Sequence, residues 1–254
     1  MRGFWVLLRK EIREQFRTNK IIILAVVFLF FGLSLPVLTK YLPDIINSVP
    51  STGGFAIEMP PAVSIDAILS YASNIAQLGV LIVVLLAMGS IAKETEGGTA
   101  ALLLSKPVSR LSFITAKLTA ESLNLLLGML FGGVACWGCT LVLFGDVATL
   151  GFVYQMLLMV LFLIFCLAVT LFFSSLMKNQ IAAGGLAITT ILATSLLAVL
   201  PNAGRFLPGG LISWGNQLVT GQSMAVEWGA LAITLTLIAL CVYGAWLNLR
   251  RKEL

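Results

Sequence analysis

Six long apolar runs dominate the chain, at residues 21–38, 74–92, 118–144, 152–177, 181–200 and 228–249. A bilayer's hydrocarbon core is about 30 Å thick, and a helix needs about 20 apolar residues to cross it. No backbone N–H or C=O can stay unpaired in lipid, so only helices or closed barrels span it. The runs are continuous rather than alternating, which excludes a barrel. The expected fold is an all-α membrane protein with six transmembrane helices. Its function must be read from the connecting segments and from polar residues inside the spans.

Composition agrees, with 59% apolar and only 11% charged residues. Soluble domains carry about 25% charged residues. One membrane domain over residues 1–254 is expected, with no soluble domain attached. The net charge of +5 raises the question of nucleic acid, but its distribution argues against that partner. Before the first run stand Arg2, Arg9, Lys10, Arg13, Arg17 and Lys20, and between the second and third stand Lys93, Lys106, Arg110 and Lys117. Lys178 joins runs four and five, and Arg250, Arg251 and Lys252 follow the last. All of these fall on one side of a six-span topology, and only Lys40 and Arg205 fall on the other. The positive-inside rule therefore predicts that both termini are cytoplasmic. The basic excess reads as a topology and anionic-lipid signal, with the lipid bilayer as partner and no nucleic acid. The first run lacks a small-residue cleavage site soon after it and is read as a retained span rather than a signal peptide.

The connecting segments have distinct characters. Residues 3–18 predict an amphipathic helix, with Trp5, Leu8, Ile12 and Phe16 on one face and Arg9, Lys10, Arg13, Glu14 and Arg17 on the rest. Such a helix lies in the headgroup plane. Residues 40–68 are punctuated by prolines and glycines and predict an outer loop, becoming helical again around Ser64 to lead into span two. Residues 201–227 are too apolar for an ordinary solvated loop, and Pro201, Pro208, Gly209 and Gly210 break them up. They predict short, broken helices dipping into the outer leaflet between spans five and six. Irregular backbone at that depth must be covered by protein or line a cavity. Span three carries a small-residue stripe, Gly128, Gly132 and Ala135, continued by Cys139. That stripe predicts close helix packing, within the subunit or between subunits.

The segment 93–117, KETEGGTAALLLSKPVSRLSFITAK, carries the most information. Lys93, Glu94, Thr95 and Glu96 end span two with charge, and Gly97 and Gly98 allow a sharp turn. Thr99 is placed to cap a short helix over 100–105, and Pro107 ends it. Leu102, Leu103 and Leu104 then sit in a cytoplasmic loop, where something should cover them. Arg110 and Lys117 anchor the return to the membrane.

This segment resembles the pattern E-x-E-x-G-T…L-L-x-x-P-x-x-R…K found between spans two and three of ABC-2 superfamily permease subunits. The matching residues are Glu94, Glu96, Gly98, Thr99, Leu102, Leu103, Leu104, Pro107, Arg110 and Lys117. The permease of the nitrous-oxide-reductase maturation transporter is similar in the same loop. The resemblance extends to the interfacial N-terminal helix, the six spans and the broken outer helices. It implies that 93–117 is a coupling loop seated in a cleft of a separate ABC ATP-binding subunit, which would hold ATP and Mg2+. It also implies a second permease subunit, identical or related, and a prokaryotic cytoplasmic (inner) membrane.

The chain's own chemistry fits a non-enzyme. No G-x-x-x-x-G-K-[ST] segment is present to cradle ATP phosphates. There is no histidine, which removes the commonest general base and metal ligand. No catalytic residues, cofactor ligands or metal ligands are predicted for this chain. The four cysteines, Cys136, Cys139, Cys166 and Cys241, all fall within spans. The C-x-x-C pair reads as part of the packing stripe rather than as redox chemistry, and Met156 and Met159 are discounted as copper ligands. Glu121, four residues after Lys117, is expected to pair with it near the inner end of span three. Asn124, one turn deeper, is a candidate interhelical hydrogen bonder. Asn74 and Gln77 on span two and Thr190 and Thr194 on span five are candidates for a translocation path, although threonines also bond back to their own helix. The expected function is the permease subunit of an ABC exporter. The alternative is a membrane anchor or relay that passes ATPase motion to an outer-side partner and moves no substrate.

Overall fold

The computed structural model describes residues 2–48, 60–97, 109–198, 204, 206–221 and 227–251. Among these residues the regular structure is entirely helical, and six helices are long and apolar enough to cross a membrane. In chain order the elements are α1 (Arg2–Arg17), α2 (Lys20–Ser48), α3 (Ser64–Asn74), a π-helical turn (Ile75–Gly79), α4 (Val80–Ala87) and α5 (Ala92–Glu96). They continue with α6 (Arg110–Phe144), α7 (Thr149–Leu176), α8 (Gln180–Leu197), α9 (Gly210–Thr220) and α10 (Trp228–Arg251). Spans one to six are α2, the composite α3–α5, α6, α7, α8 and α10. Both α1 and the last turns of α10 lie at one end of the bundle, called proximal below; the opposite end is distal.

Span four is the enclosed centre. Of its most apolar stretch 61% is buried, against 39% or less in every other span. Around α7 pack α4, α6, α8, α9 and α10. The other spans turn large apolar side chains outward, among them Ile22, Phe30, Leu85, Leu130, Val142 and Leu192. That is the pattern of a bundle whose solvent is hydrocarbon.

Helix ends follow local chemistry. Ser109 caps α6 by accepting the Ser112 N–H at 3.1 Å. Asn179 does the same for α8 through the Ile181 N–H at 2.8 Å. Gly145 ends α6 with φ of 79°, a left-handed conformation that glycine adopts without strain.

Spans one and three run parallel and form the most extensive helix pair. Here the small-residue stripe has its partner. A Cβ on Gly132 would lie 2.7 Å from the Phe28 carbonyl oxygen, and one on Gly128 would lie 3.1 Å from Leu24 Cγ. The stripe thus joins two helices of one subunit, with Gly32 of α2 facing Gly132 across the contact. Ala135 Cβ lies 3.1 Å from the position of a Cβ on Gly32.

Two elements depart from the sequence expectation. The first span does not end near residue 38; α2 continues through Pro36 and Pro43 to Ser48. Lys40 holds this extension by donating to the Leu143 carbonyl and by lying 5.2 Å from the Phe144 ring centroid. The second span is not one continuous helix either. It carries the π-helical turn at Ile75–Gly79 and a break between Ala87 and Ala92. The break is stabilised from span four. Ser174 Oγ accepts the Ile91 and Ala92 N–H groups at 3.1 and 3.0 Å and donates to the Met88 carbonyl at 2.8 Å.

Candidate functional site: a charged junction at the proximal end

Helix α1 presents three sectors. Leu7, Leu8, Glu11 and Gln15 are buried against the bundle, largely against α6, with Phe4 and Ile12 partly buried beside them. Trp5 and Phe16 are 67% and 60% exposed. Arg9, Arg13 and Arg17 are exposed on the remaining side. The predicted stripe of Trp5, Leu8, Ile12 and Phe16 is therefore divided. Leu8 enters the protein core, while Trp5 and Phe16 form an outward apolar edge. A carboxylate and an amide lie on the buried side, three and seven residues beyond Leu8.

Glu11 explains that placement. Lys117 of α6 is 2% exposed, and its Nζ donates to both Glu11 carboxylate oxygens at 3.1 Å. The same ammonium lies 3.1 Å from Glu94 Oε1 of α5. Lys10 completes the cluster, with its Nζ 2.9 Å from Glu11 and from Glu14 and 2.8 Å from Glu94. One buried ammonium thus ties the N-terminal helix, the end of span two and the start of span three. Burial alone would lower the Lys10 pKa, but the hydrogen bonds it donates to Glu94, Glu14 and Glu11 outweigh it and hold the ammonium above the ordinary lysine value. For Glu14, burial acts to raise the pKa, and Lys10 overrides it to hold the carboxyl below its usual range. Glu11, Glu14 and Glu94 bring carboxylate oxygens within 4.8 Å of one another, as metal ligands would be. The two lysines supply the positive charge in that space.

The expected Lys117–Glu121 pair is not formed. Helical side chains lean toward the N-terminus, so Lys117 points back over the Phe113 ring, 5.1 Å from its centroid, and away from Glu121. Glu121 instead accepts from the Ser90 hydroxyl at the break in span two.

Of the predicted coupling residues, Glu94 lies inside the junction, Glu96 is exposed, and Gly97 closes α5 through its N–H to the Lys93 carbonyl at 2.9 Å. Arg110 starts α6 and donates to the Leu249 carbonyl, fastening span three to span six. Gly98, Thr99, Leu102, Leu103, Leu104 and Pro107 lie outside the described residues. Sequence reasoning missed Glu11 as a site residue. The available signal was a carboxylate and Gln15 recurring at helical spacing on the Leu8 side.

Each of the candidate path residues bonds within its own span. Asn74 donates to its own helix at Ser70 O, 2.9 Å, and Gln77 reaches Ser73 Oγ at 3.4 Å. Thr190 and Thr194 donate back to Leu186 and Ile191 carbonyls at 2.8 Å each. Gln77 belongs to the π-helical turn and Asn74 immediately precedes it; such turns are frequent at functional sites. At the distal end α9 packs on α7, where a Cβ on Gly151 would lie 2.6 Å from the Leu218 carbonyl oxygen. The buried Gln155 side chain donates to Asn216 Oδ1 there at 2.8 Å, a link absent from the sequence expectations.

Comparison with known proteins matches this arrangement to one family. Over 259 aligned residues the chain is 26% identical to the uncharacterized transmembrane protein YxlG of Bacillus subtilis (strain 168), covering 100% of this chain and 99% of that protein. The family described as ABC-2 family transporter protein matches residues 5–208, which take in the junction, the segment between spans two and three, and the first five spans. The chain belongs to the ABC-2 family of transporter membrane proteins.

Proposed function

We propose that this chain is the permease subunit of an ABC exporter, driven by a separate ATP-binding subunit that carries ATP and Mg2+. The observation that carries the reading is the burial of Lys117 between Glu11 and Glu94. This geometry makes α1, the base of span two and the base of span three move as one unit. The loop they bracket, 98–108, holds Leu102, Leu103 and Leu104, which suit an apolar cleft on a partner. Glu96, Gly97, Gly98, Thr99, Pro107 and Arg110 stand at its two ends in the sequence. On this reading the proximal end is cytoplasmic, both termini lie in the cytoplasm, and the membrane is a prokaryotic inner membrane. The Trp5 and Phe16 edge enters the headgroup region beside Arg9, Arg13 and Arg17, and the helix α9 region lies at the outer leaflet.

ATP binding shifts the equilibrium between two packings of the spans only if the ATPase grips those packings differently. A junction that moves three elements together gives it such a grip. A second permease subunit completes the pore, and Asn74, Gln77, Thr190 and Thr194 are the residues we assign to the path. The finer likeness, to the nitrous-oxide-reductase maturation permease, rests on the 93–117 loop; we carry over its coupling role and no cargo.

The test is Leu103→Asp. A carboxylate in an apolar cleft is left without a partner, so the ATPase should fail to co-purify and transport should stop. The permease itself should still elute as a folded protein. Normal ATPase binding with normal transport would sink the coupling assignment.

A further inference from the structure

A small cavity of about 20 Å³ lies beside α1 and among spans one to four, just inside the break in span two; its wall is mostly apolar and carries a few polar groups. Its wall includes Gln15, Lys20, Leu86, Glu121 and Asn124. Two acceptors in that wall have no hydrogen-bond donor: Glu121 Oε2 and Asn124 Oδ1 are both buried and unpartnered. Asn124 is only 6% exposed. An acceptor in that position loses its hydration on folding unless a donor returns.

We infer that this cavity is a hydration site holding one water, which donates to Glu121 Oε2 and Asn124 Oδ1. The volume is right, since a single water needs about 10–15 Å³ of such space and two to four polar partners. Lys20 supplies a third partner. Its ammonium donates to the Leu86 carbonyl at 3.0 Å and keeps further N–H groups in the same wall.

The site also has a mechanical role. Glu121 Oε1 takes its donor from Ser90 at the break in span two. When the break flexes and Ser90 withdraws, the water supplies a replacement donor, so that Glu121 is not left bare. Water-mediated bonds are nearly as favourable as direct ones, which makes this contact exchangeable.

The experiment is water-edited solid-state NMR on the full-length protein in lipid bilayers, with labelled Glu, Asn and Thr. Water polarisation should reach the Glu121 carboxyl carbon and the Asn124 amide. It should not reach Thr170, which is fully buried with its hydroxyl bonded to the Cys166 carbonyl. Asn124→Leu fills the cavity, and the Glu121 water signal should be lost. Ser90→Ala should retain that signal in a folded protein. A dry Glu121 in the unmodified protein would overturn the inference. So would an equal signal at Thr170, or loss of the Glu121 signal in Ser90→Ala.

Discussion

Lys117 is the residue on which the junction turns. Removing one member of a buried ion pair strands its partners and costs about 3–5 kcal/mol. Lys117→Met should therefore destabilise the protein by about that amount, read as a lowered thermal unfolding midpoint in detergent. Adding Glu11→Gln and Glu94→Gln should recover most of the loss, because no buried carboxylate is then stranded beside residue 117, while Lys10 keeps its pair with Glu14. The pH dependence has a definite sign. The depressed Glu14 contributes stability that is present above its ordinary value of 4.5 and is lost as pH falls through its lower folded value. The raised Lys10 contributes stability that is present below its ordinary 10.5 and is lost as pH climbs through its higher folded value. Their neighbours in the cluster are Glu11, Glu94 and Lys117. The contribution of these two groups to the unfolding midpoint should be constant between their two ordinary values and fall outside them. The acid limb attributable to Glu14 should be shallow, under about 1 kcal/mol, because that side chain is half exposed. Glu94 and Lys117 stood out in the sequence because they flank a recognisable loop. Glu11 did not, because its buried partner Lys117 lies 106 positions away along the chain.

At the level of helices, the pairing of α2 with α6 depends on the absence of side chains. Gly132→Leu would force apart two backbones that glycine lets touch, so folding yield should drop sharply, measured as monodisperse protein after extraction. Cys139→Ala should leave the yield unchanged, since that thiol makes only a 3.7 Å contact to the Leu33 carbonyl. The six spans were legible because hydrocarbon demands long apolar runs, and the stripe was legible because small residues recurred along one face. The break in span two was not legible. Met88, Gly89 and Ser90 sit within an apolar run that reads as continuous helix. The freed N–H groups of Ile91 and Ala92 are satisfied by Ser174, a residue of another span. Pro43 misled in the opposite direction, since a proline normally ends a helix in water. Lys40 on the Leu143 carbonyl keeps α2 going past it.

For the whole molecule, the arrangement of termini makes a prediction that mutagenesis can read directly. Single cysteines at Ser51 and Gln222 should react with an impermeant thiol reagent applied outside intact cells, and one at Ser105 should not. Outside labelling at Ser105 would invert the topology and remove the coupling loop from the ATPase. The junction also bears on how the protein is made. Glu11 leaves the ribosome 106 residues before Lys117, an interval on the order of 5–20 s at normal synthesis rates. Throughout that time α1 has no counter-charge from span three and cannot dock. The N-terminal helix must wait at the membrane surface until two spans are inserted and the third has begun. Closure of the junction is then a checkpoint in biogenesis: a quality-control protease would find α1 accessible on any chain whose third span had failed to insert.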